Sequence, residues 1–318
     1  MKKPIIILTG PTAVGKTKAS IELAKKIGGE IISADSMQVY KYMDIGSAKI
    51  RSEEMQGVPH YLIDELEPDE EFHVVRFQEM AKQAMEKIYA NGHIPIVVGG
   101  TGFYIQALLY DIDFTESNED SSYREELERL AKEKGAQYLH EELRKVDEKS
   151  AETIHANNVK RVIRALEFFK QTGQKTSEHN ETERTKESPY DFCYFVLTDD
   201  RKLLYDRINL RVDQMVQDGL LEEVQSLKER GYTKDMVSMQ GLGYKEILDY
   251  LDGDCTLEET IYILKRDTRH FAKRQLTWFR RERDVIWIDK SQYDHNEAKV
   301  VDMMITKIQE RIPYICLK

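Results

Sequence analysis

The 318-residue chain contains few of the features that mark a secreted or membrane-spanning protein. It has three cysteines, Cys193, Cys255 and Cys316, odd in number and far apart, which argues against a disulfide framework and against a cysteine-based zinc site. No apolar run approaches the ~20 residues needed to cross a bilayer. The N-terminal run, Ile5 to Leu8, gives way at once to Thr9 and Gly10. Two lysines and a short apolar run leading into a glycine-rich turn do not read as a secretory leader, so a cytoplasmic protein is expected. An excess of positive charge is also missing. Lys and Arg number 47 against 57 Asp and Glu, a net charge of −10, which argues against indiscriminate coating of nucleic acid. A local basic surface remains compatible with that total. With 41% hydrophobic and 33% charged residues, the composition is that of a globular protein, long enough for one large domain or a core plus a second lobe.

The pattern begins strand, loop, helix. Pro4 to Thr9 is a buried parallel strand by its apolar run, and Lys16 to Ile27 is a helix with Ala19, Leu23 and Ile27 on one face. Gly28 and Gly29 stop that helix; Glu30 to Ala34 is a second strand ending at Asp35. A short strand at Val58 to Ile63, a helix at Phe72 to Tyr89 and a strand at Ile94 to Val98 follow. Strands alternating with helices imply a parallel sheet covered on both faces. From about Thr115 the character changes. Asp120 to Glu148 is charge-rich and helical, Val159 to Gln171 is another helix, and Gln174 to Ser188 reads as polar loop. Residues 115–188 are therefore expected to be a helical insertion, interrupting an α/β core of 1–114 and 189–318. Beyond a strand at Phe192 to Thr198, helices are expected at Arg201 to Gln217, Leu220 to Arg230, Tyr244 to Leu251 and Leu257 to Arg283. A strand at Val285 to Ile288 and a helix at Asn296 to Arg311 end the pattern.

Positions 10–17 read GPTAVGKT, a complete G-x-x-x-x-G-K-[ST] phosphate-loop pattern between a strand and a helix. The loop Gly10, Pro11, Thr12, Ala13, Val14 and Gly15 would cradle an anion with its backbone N–H groups, all but Pro11 carrying one. Lys16 adds a point charge, and the Thr17 hydroxyl suits a Mg²⁺ ion shared with phosphate oxygens. The competing reading is an ordinary tight turn, which the strand–loop–helix context disfavours. The loop identifies a polyphosphate and leaves the reaction open. The strand at Ile94 to Val98 ends in Gly99-Gly100-Thr101, without the acid that ATPases and GTPases keep for Mg²⁺. A small-molecule or nucleoside kinase fits the same loop, together with Asp35 and Gly99-Gly100. A non-catalytic RNA-binding GTPase or ATPase module fits poorly, since neither the acid for Mg²⁺ nor a guanine-reading N-K-x-D segment is present.

Asp35 falls at the carboxyl edge of the sheet, where ligands collect in open α/β folds. A carboxylate there takes a proton, holds a metal-bound water or caps a following helix, and position alone favours the cap.

The segments DSMQVYKYMDIGSAK at 35–49, GGTGFY at 99–104, IHANNVKRVIRALE at 154–167, GLGYKE at 241–246 and KRQLTWFR at 273–280 resemble, in order and over nearly the whole chain, the tRNA dimethylallyltransferase (tRNA isopentenyltransferase) family. Departures are small: Val14 stands where many members have Ser, and Leu242 where Ile is common; the zinc finger of some eukaryotic members is absent. The resemblance implies a P-loop NTPase-like parallel sheet flanked by helices, with an all-helical insertion domain contacting tRNA. It implies transfer of a dimethylallyl group from dimethylallyl diphosphate to the exocyclic amine of the adenosine 3′ to the anticodon. The partners implied are a tRNA anticodon stem-loop and dimethylallyl diphosphate, with Mg²⁺ and with no obligate protein partner.

On that reading the loop stabilises a departing diphosphate, helped by Arg211, one turn from Arg207. Asp35 is the candidate base for a weakly nucleophilic amine, and Thr101 resembles the threonine near the reacting centre. Around the reacting base, the resemblance assigns tRNA contacts to Asp35, Ser36, Met37, Gln38 and Thr101. From the GLGYKE segment and its flank it assigns Gln240, Gly241, Gly243, Tyr244 and Lys245. From KRQLTWFR it assigns Lys273, Arg274, Gln275, Trp278 and Arg280.

An acidic chain that binds RNA needs a basic face, and 265–283 supplies one. Arg266, Arg269, His270, Lys273, Arg280 and Arg281 share one side of a helical wheel, with Leu264, Phe271, Ala272, Trp278 and Phe279 opposite. Within that span only Asp267 and Glu282 offset the cations, which also include Lys265, Arg274 and Arg283. Lys160, Arg161 and Arg164 form a second cluster in the insertion, and Arg124 begins its first long helix. Phosphate contacts from these positions would orient tRNA without reading sequence. Trp278 lies on the apolar side, which favours packing over base stacking.

Overall fold

A computed structural model of the chain describes residues 2–114 and 122–317. In chain order the elements are β1 (Lys3–Thr9), α1 (Lys16–Ile27), β2 (Gly29–Ala34), β3 (His60–Tyr61), α2 (Val74–Ala90), β4 (Ile94–Gly99) and α3 (Gly102–Leu109). There follow α4 (Ser122–Lys134), α5 (Ala136–Val146), α6 (Glu148–Thr153), α7 (Val159–Thr172) and α8 (Thr176–Thr185). The chain then returns to β5 (Tyr190–Thr198), α9 (Arg201–Gln217), α10 (Leu220–Glu229), α11 (Tyr244–Leu251), α12 (Leu257–Phe279), β6 (Val285–Asp289) and α13 (Glu297–Arg311).

The strands form one parallel sheet in the order β3-β2-β4-β1-β5-β6. Side chains alternate across a strand, so a strand covered on both faces reads as an unbroken apolar run. Ile6 and Leu8 of β1 share a core with Ile96, Phe195, Ala19 and Leu23 of α1, and Val300, Met304 and Ile308 of α13. Ile5 and Ile7, equally buried, alternate to the other face. There α2 packs against β2 and β4, and Phe77 stacks on Tyr104 of α3 with ring centroids 4.7 Å apart. The α/β, parallel-sheet expectation therefore holds. Among the described residues, no helix is long and apolar enough to cross a membrane.

Two compact units are present, one of Met1–Leu109 with Pro189–Lys318, the other of Tyr110–Ser188. The second unit has its own core of Leu127, Leu139, Leu143, Val162 and Leu166. An insertion boundary at Thr115 and a helix start at Asp120 lie outside the described residues. The stretch expected to be helical to Glu148 holds two helices, α4 and α5, with α6 starting at its last residue: the chain breaks at Gly135 and again at Asp147, whose carboxylate caps α6 by accepting the Ser150 N–H at 3.0 Å. The polar loop expected at 174–188 contains α8. Its start is held by Asp147, which accepts the Ser177 N–H at 2.9 Å and hydroxyl at 2.7 Å. That anchor lies 30 residues away, beyond the reach of a local pattern.

Other differences are at ends. The strand expected at Val58 to Ile63 contracts to the two residues of β3 at the sheet edge. The helix expected to reach Arg283 stops at Phe279. The sequence pattern also missed α3, an apolar helix buried along most of its length, because periodicity is lost when nearly all sides are covered.

Candidate active site at the carboxyl edge of the sheet

The turns after β1, β2 and β4 meet at the carboxyl edge. After β1 the chain turns through the phosphate loop, and Gly15 enters α1 with φ +97°, a left-handed conformation that strains any side chain. A Cβ on Gly15 would also sit 2.8 Å from Lys290 Nζ. Val14 is fully buried in the core; its N–H donates to the Pro11 carbonyl at 3.4 Å, and its carbonyl accepts from Lys290 at 3.2 Å. Lys16 Nζ donates to the carbonyls of Gly10 and Pro11, both at 3.0 Å, bracing the loop from within. The Thr17 hydroxyl lies on the exposed first turn of α1.

After β2, the Asp35 carboxylate accepts the Met37 N–H at 2.9 Å. No helix begins there, so the group ties a turn and is no helix cap. After β4, Gly99 pairs in register with Ala34, and a Cβ on Gly99 would come within 2.1 Å of the Ala34 carbonyl oxygen. This close approach lets the Thr101 N–H donate to the Ala34 carbonyl at 3.2 Å, placing Thr101 next to the residue that precedes Asp35. Ser36 is half-buried in the same turn.

From α9, Arg211 Nη1 reaches the Thr12 hydroxyl at 3.5 Å. Arg207, one turn earlier, is paired instead with the buried Asp199. Lys16, Arg211 and Asp35 feel one another's charge. Burial, then the neighbouring Arg211, lowers the Lys16 ammonium to about 8, against the opposing pull of Asp35. Burial raises the Asp35 carboxyl above the usual carboxylate range, outweighing the Met37 N–H, Lys16 and Arg211. Burial likewise lowers Arg211, opposed by Asp35. Two cations that are costly to keep charged beside one carboxylate make an anion-seeking site with a proton acceptor at its rim.

Several residues that the sequence assigned to tRNA are engaged by partners within the protein. Gln275 is 6% exposed; its Oε1 accepts the Thr12 N–H at 2.9 Å and its Nε2 donates to the Gly100 carbonyl at 3.0 Å. Tyr244 is fully buried and donates to Glu223 Oε1 at 2.8 Å, so its ring is not available to a nucleotide. Arg124 makes a two-pronged pair with Glu167, both contacts at 2.9 Å. Gln38 donates to the carbonyls of Ser47 and Ala48 at 3.4 and 3.3 Å, folding its own loop. Gly243 is the N-cap of α11, its N–H bonded to Glu246 at 2.8 Å, and Gly241 packs against the Met37 side chain. Gln240 donates to the Lys234 carbonyl, and Lys245 pairs with Glu246 at 3.3 Å.

Glu223 belongs to no sequence motif, yet it organises the loop that follows Asp35. Its carboxylate accepts the N–H groups of Asp44, Ile45 and Gly46 at 2.9, 2.7 and 3.0 Å as well as the Tyr244 hydroxyl. The absence of a side chain at Gly46 is the one hint in the sequence: a Cβ there would strike the Tyr244 ring at 2.6 Å.

The basic face is largely where the wheel put it. Lys273, Arg274, Arg280 and Arg281 are exposed, and a surface pocket on α12 is lined by His270, Lys273, Arg274, Thr277, Trp278 and Arg281. Trp278 is half-buried with its edge against Phe103, centroids 6.1 Å apart. The acids are redistributed. Asp213 of α9 takes Lys265 at 2.6 Å and Asp267 takes Arg266 at 2.8 Å. Burial pushes the Glu282 carboxyl up to about 7, so it offsets only part of a charge near neutrality. On α7 of the second unit, Lys160, Arg161 and Arg164 are exposed.

The sequence profile of a family described as IPP transferase matches residues 38–282. The chain is 62% identical over 309 residues, 97% of its length and 98% of the relative's, to a tRNA dimethylallyltransferase of Lachnoclostridium phytofermentans. It is 54% identical over 299 residues, covering 94% and 96%, to that of Acetivibrio thermocellus. Among solved structures it resembles the tRNA isopentenylpyrophosphate transferase of Bacillus halodurans, with a TM-score of 0.73, 47% identity and 98% coverage of both chains. It also resembles a eukaryotic dimethylallyltransferase described as acting on tRNA, with a TM-score of 0.80 and 31% identity over 97% of this chain and 80% of that one. Agreement of this kind along nearly the full length, on a sheet whose edge gathers a phosphate loop, an arginine and a carboxylate, means that the chain belongs to the IPP transferase family.

Proposed function

We propose that the chain transfers a dimethylallyl group from dimethylallyl diphosphate to the exocyclic N6 amine of the adenosine 3′ to the anticodon of tRNA, in the cytoplasm, releasing diphosphate. The observation that carries this reading is the grouping of Lys16, Arg211 and Asp35, each within reach of the others' charge. The cationic pair lies where a diphosphate leaves, and the carboxylate lies where an amine gives up a proton.

The reaction breaks the bond between prenyl C1 and the diphosphate oxygen and forms one between C1 and N6. Electrons of the broken bond leave with the diphosphate, so charge grows on oxygens facing the loop N–H groups, Lys16 and Arg211. The Thr12 N–H is already held by Gln275, so Thr12 serves through its hydroxyl, beside Arg211. The adenine amine is a poor nucleophile because its lone pair is delocalised into the ring. Asp35 takes the N6 proton as the new bond forms, and its raised pKa makes it a better acceptor than a free carboxylate. Thr101, fixed by its N–H to the strand end that leads into Asp35, stands beside the entering base. That base leaves its stack to reach such a recessed edge.

Among the described residues, no cluster of three or more His, Cys, Asp or Glu forms a metal cage. A single hydroxyl from Thr17 with diphosphate oxygens and water is a donor set that suits Mg²⁺, which gives up its waters reluctantly. When bound, such an ion neutralises charge on the leaving diphosphate. For tRNA, the exposed Lys273, Arg274 and Arg280 on and beside α12 supply phosphate contacts, as do Lys160, Arg161 and Arg164 of the insertion. Gln275, Tyr244, Arg124 and Gln38 support the surfaces that touch tRNA.

Supplying unmodified tRNA with labelled dimethylallyl diphosphate and, in parallel, labelled ATP tests the reading. Label should pass from the prenyl diphosphate to N6 with diphosphate release. Transfer from ATP to a small molecule, with none to tRNA, would return the chain to the kinase class.

A further inference from the structure

We infer that Lys290 is a positioning residue for the diphosphate loop, holding the Val14–Gly15 peptide in the orientation that binds an anion. Lys290 follows β6, 276 residues from Val14, and is 3% exposed. Its Nζ donates to the Val14 carbonyl at 3.2 Å and is paired with Glu297 at the start of α13. The Val14 carbonyl and the Gly15 N–H belong to one trans peptide, in which C=O and N–H point in opposite directions. A carbonyl drawn to Lys290 therefore turns the Gly15 N–H away from it, leaving that donor free for a ligand of the loop.

Two further features indicate a purpose-built contact. The ammonium lies so near Gly15 that a Cβ there would meet it at 2.8 Å, so a side chain at this left-handed position would also have to displace Lys290. Glu297 uses one oxygen on Lys290 while the other, Oε2, is buried without a hydrogen-bond partner. Keeping a carboxylate so poorly satisfied is costly, which makes sense if its task is to hold the lysine. Lys16 braces the same loop from within through Gly10 and Pro11, and Lys290 braces it from behind at Val14.

This inference rests on the loop being the diphosphate site. The probe is inorganic pyrophosphate with Mg²⁺, titrated calorimetrically into the full chain, with tRNA affinity and melting temperature measured alongside. Lys290→Met alone leaves the partly buried Glu297 carboxylate unpaired, so the double variant Lys290→Met/Glu297→Gln, which removes both charges, keeps the test clear of unfolding. The double variant should melt close to the wild type and bind tRNA equally well, yet bind pyrophosphate about tenfold or more weakly, since a lost charge-assisted hydrogen bond is typically worth that much. Lys290→Arg, which keeps a donor and a charge, should recover part of the loss. Wild-type pyrophosphate affinity in a well-folded double variant would overturn the inference. So would parallel losses of pyrophosphate and tRNA binding together with melting temperature, the mark of a structural brace alone. Lys16→Ala run beside them reports on the underlying reading: if it too binds pyrophosphate normally, the loop is not the diphosphate site.

Discussion

Gln275 accepts the Thr12 N–H at 2.9 Å across 263 residues of sequence, while its other end holds the Gly100 carbonyl. One buried amide thus pins the phosphate loop to the turn after β4, and both to α12. The helix carrying the basic face and the phosphate loop are tied side chain to backbone. Gln275→Leu should leave a donor and an acceptor unsatisfied. At about 1–3 kcal/mol for each buried polar group, this would lower stability by roughly 2–6 kcal/mol in urea unfolding. An unchanged midpoint would mean that solvent replaces both bonds.

Lys16→Ala should slow transfer by roughly a hundredfold, the usual effect of losing one electrostatic contact to developing charge. The wild type should also show a pH signature. Free Lys16 titrates near 8, and a bound diphosphate favours its charged form. Pyrophosphate binding should therefore take up protons and weaken as pH rises through 8. Titrations in buffers of different ionisation enthalpy read that uptake. If affinity is flat from pH 7 to about 9, Lys16 does not face the anion.

Asp35→Asn preserves an acceptor for the Met37 N–H and removes the capacity to take a proton. It should fold and bind both substrates, yet lose about two to four orders of magnitude in single-turnover rate. In the wild type the rate should fall in acid as Asp35 is protonated, at a pH above that of an ordinary carboxylate because its pKa is raised. The Asn variant should lack that limb. Wild-type speed in the Asn variant would falsify the base role.

Charge reversal at Lys273 and Arg280, both exposed, should weaken tRNA binding and reduce the slope of log affinity against log salt by about 0.7–0.9 per lost phosphate contact. Turnover at saturating tRNA should fall far less. A slope that does not move would mark this face as merely solvated.

Arg124→Ala should behave differently from those two. Its guanidinium is committed to Glu167, whose side chain is 9% exposed. Removing it should cost about 1–3 kcal/mol of stability through the buried carboxylate left behind, with little change in tRNA affinity. A salt slope reduced as for Lys273 would show that Arg124 releases Glu167 to meet phosphate.

The sequence by itself determined the elements whose cause is local. The apolar runs of β1, β2, β4 and β5, the amphipathic period of α1 and the strand–loop–helix setting of GPTAVGKT are written in neighbouring residues. The carboxyl-edge position of Asp35 followed from the same pattern. What only the tertiary structure decided is which polar side chains face outward. Tyr244, Gln275, Arg124 and Lys290 all carry groups suited to a ligand, and their partners Glu223, Thr12, Glu167 and Val14 lie 21, 263, 43 and 276 residues away. A buried polar group must find a partner wherever the fold puts one. Long-range packing, which no local spacing records, therefore commits these residues to partners within the protein and leaves Lys16, Arg211 and Asp35 grouped at the carboxyl edge of the sheet.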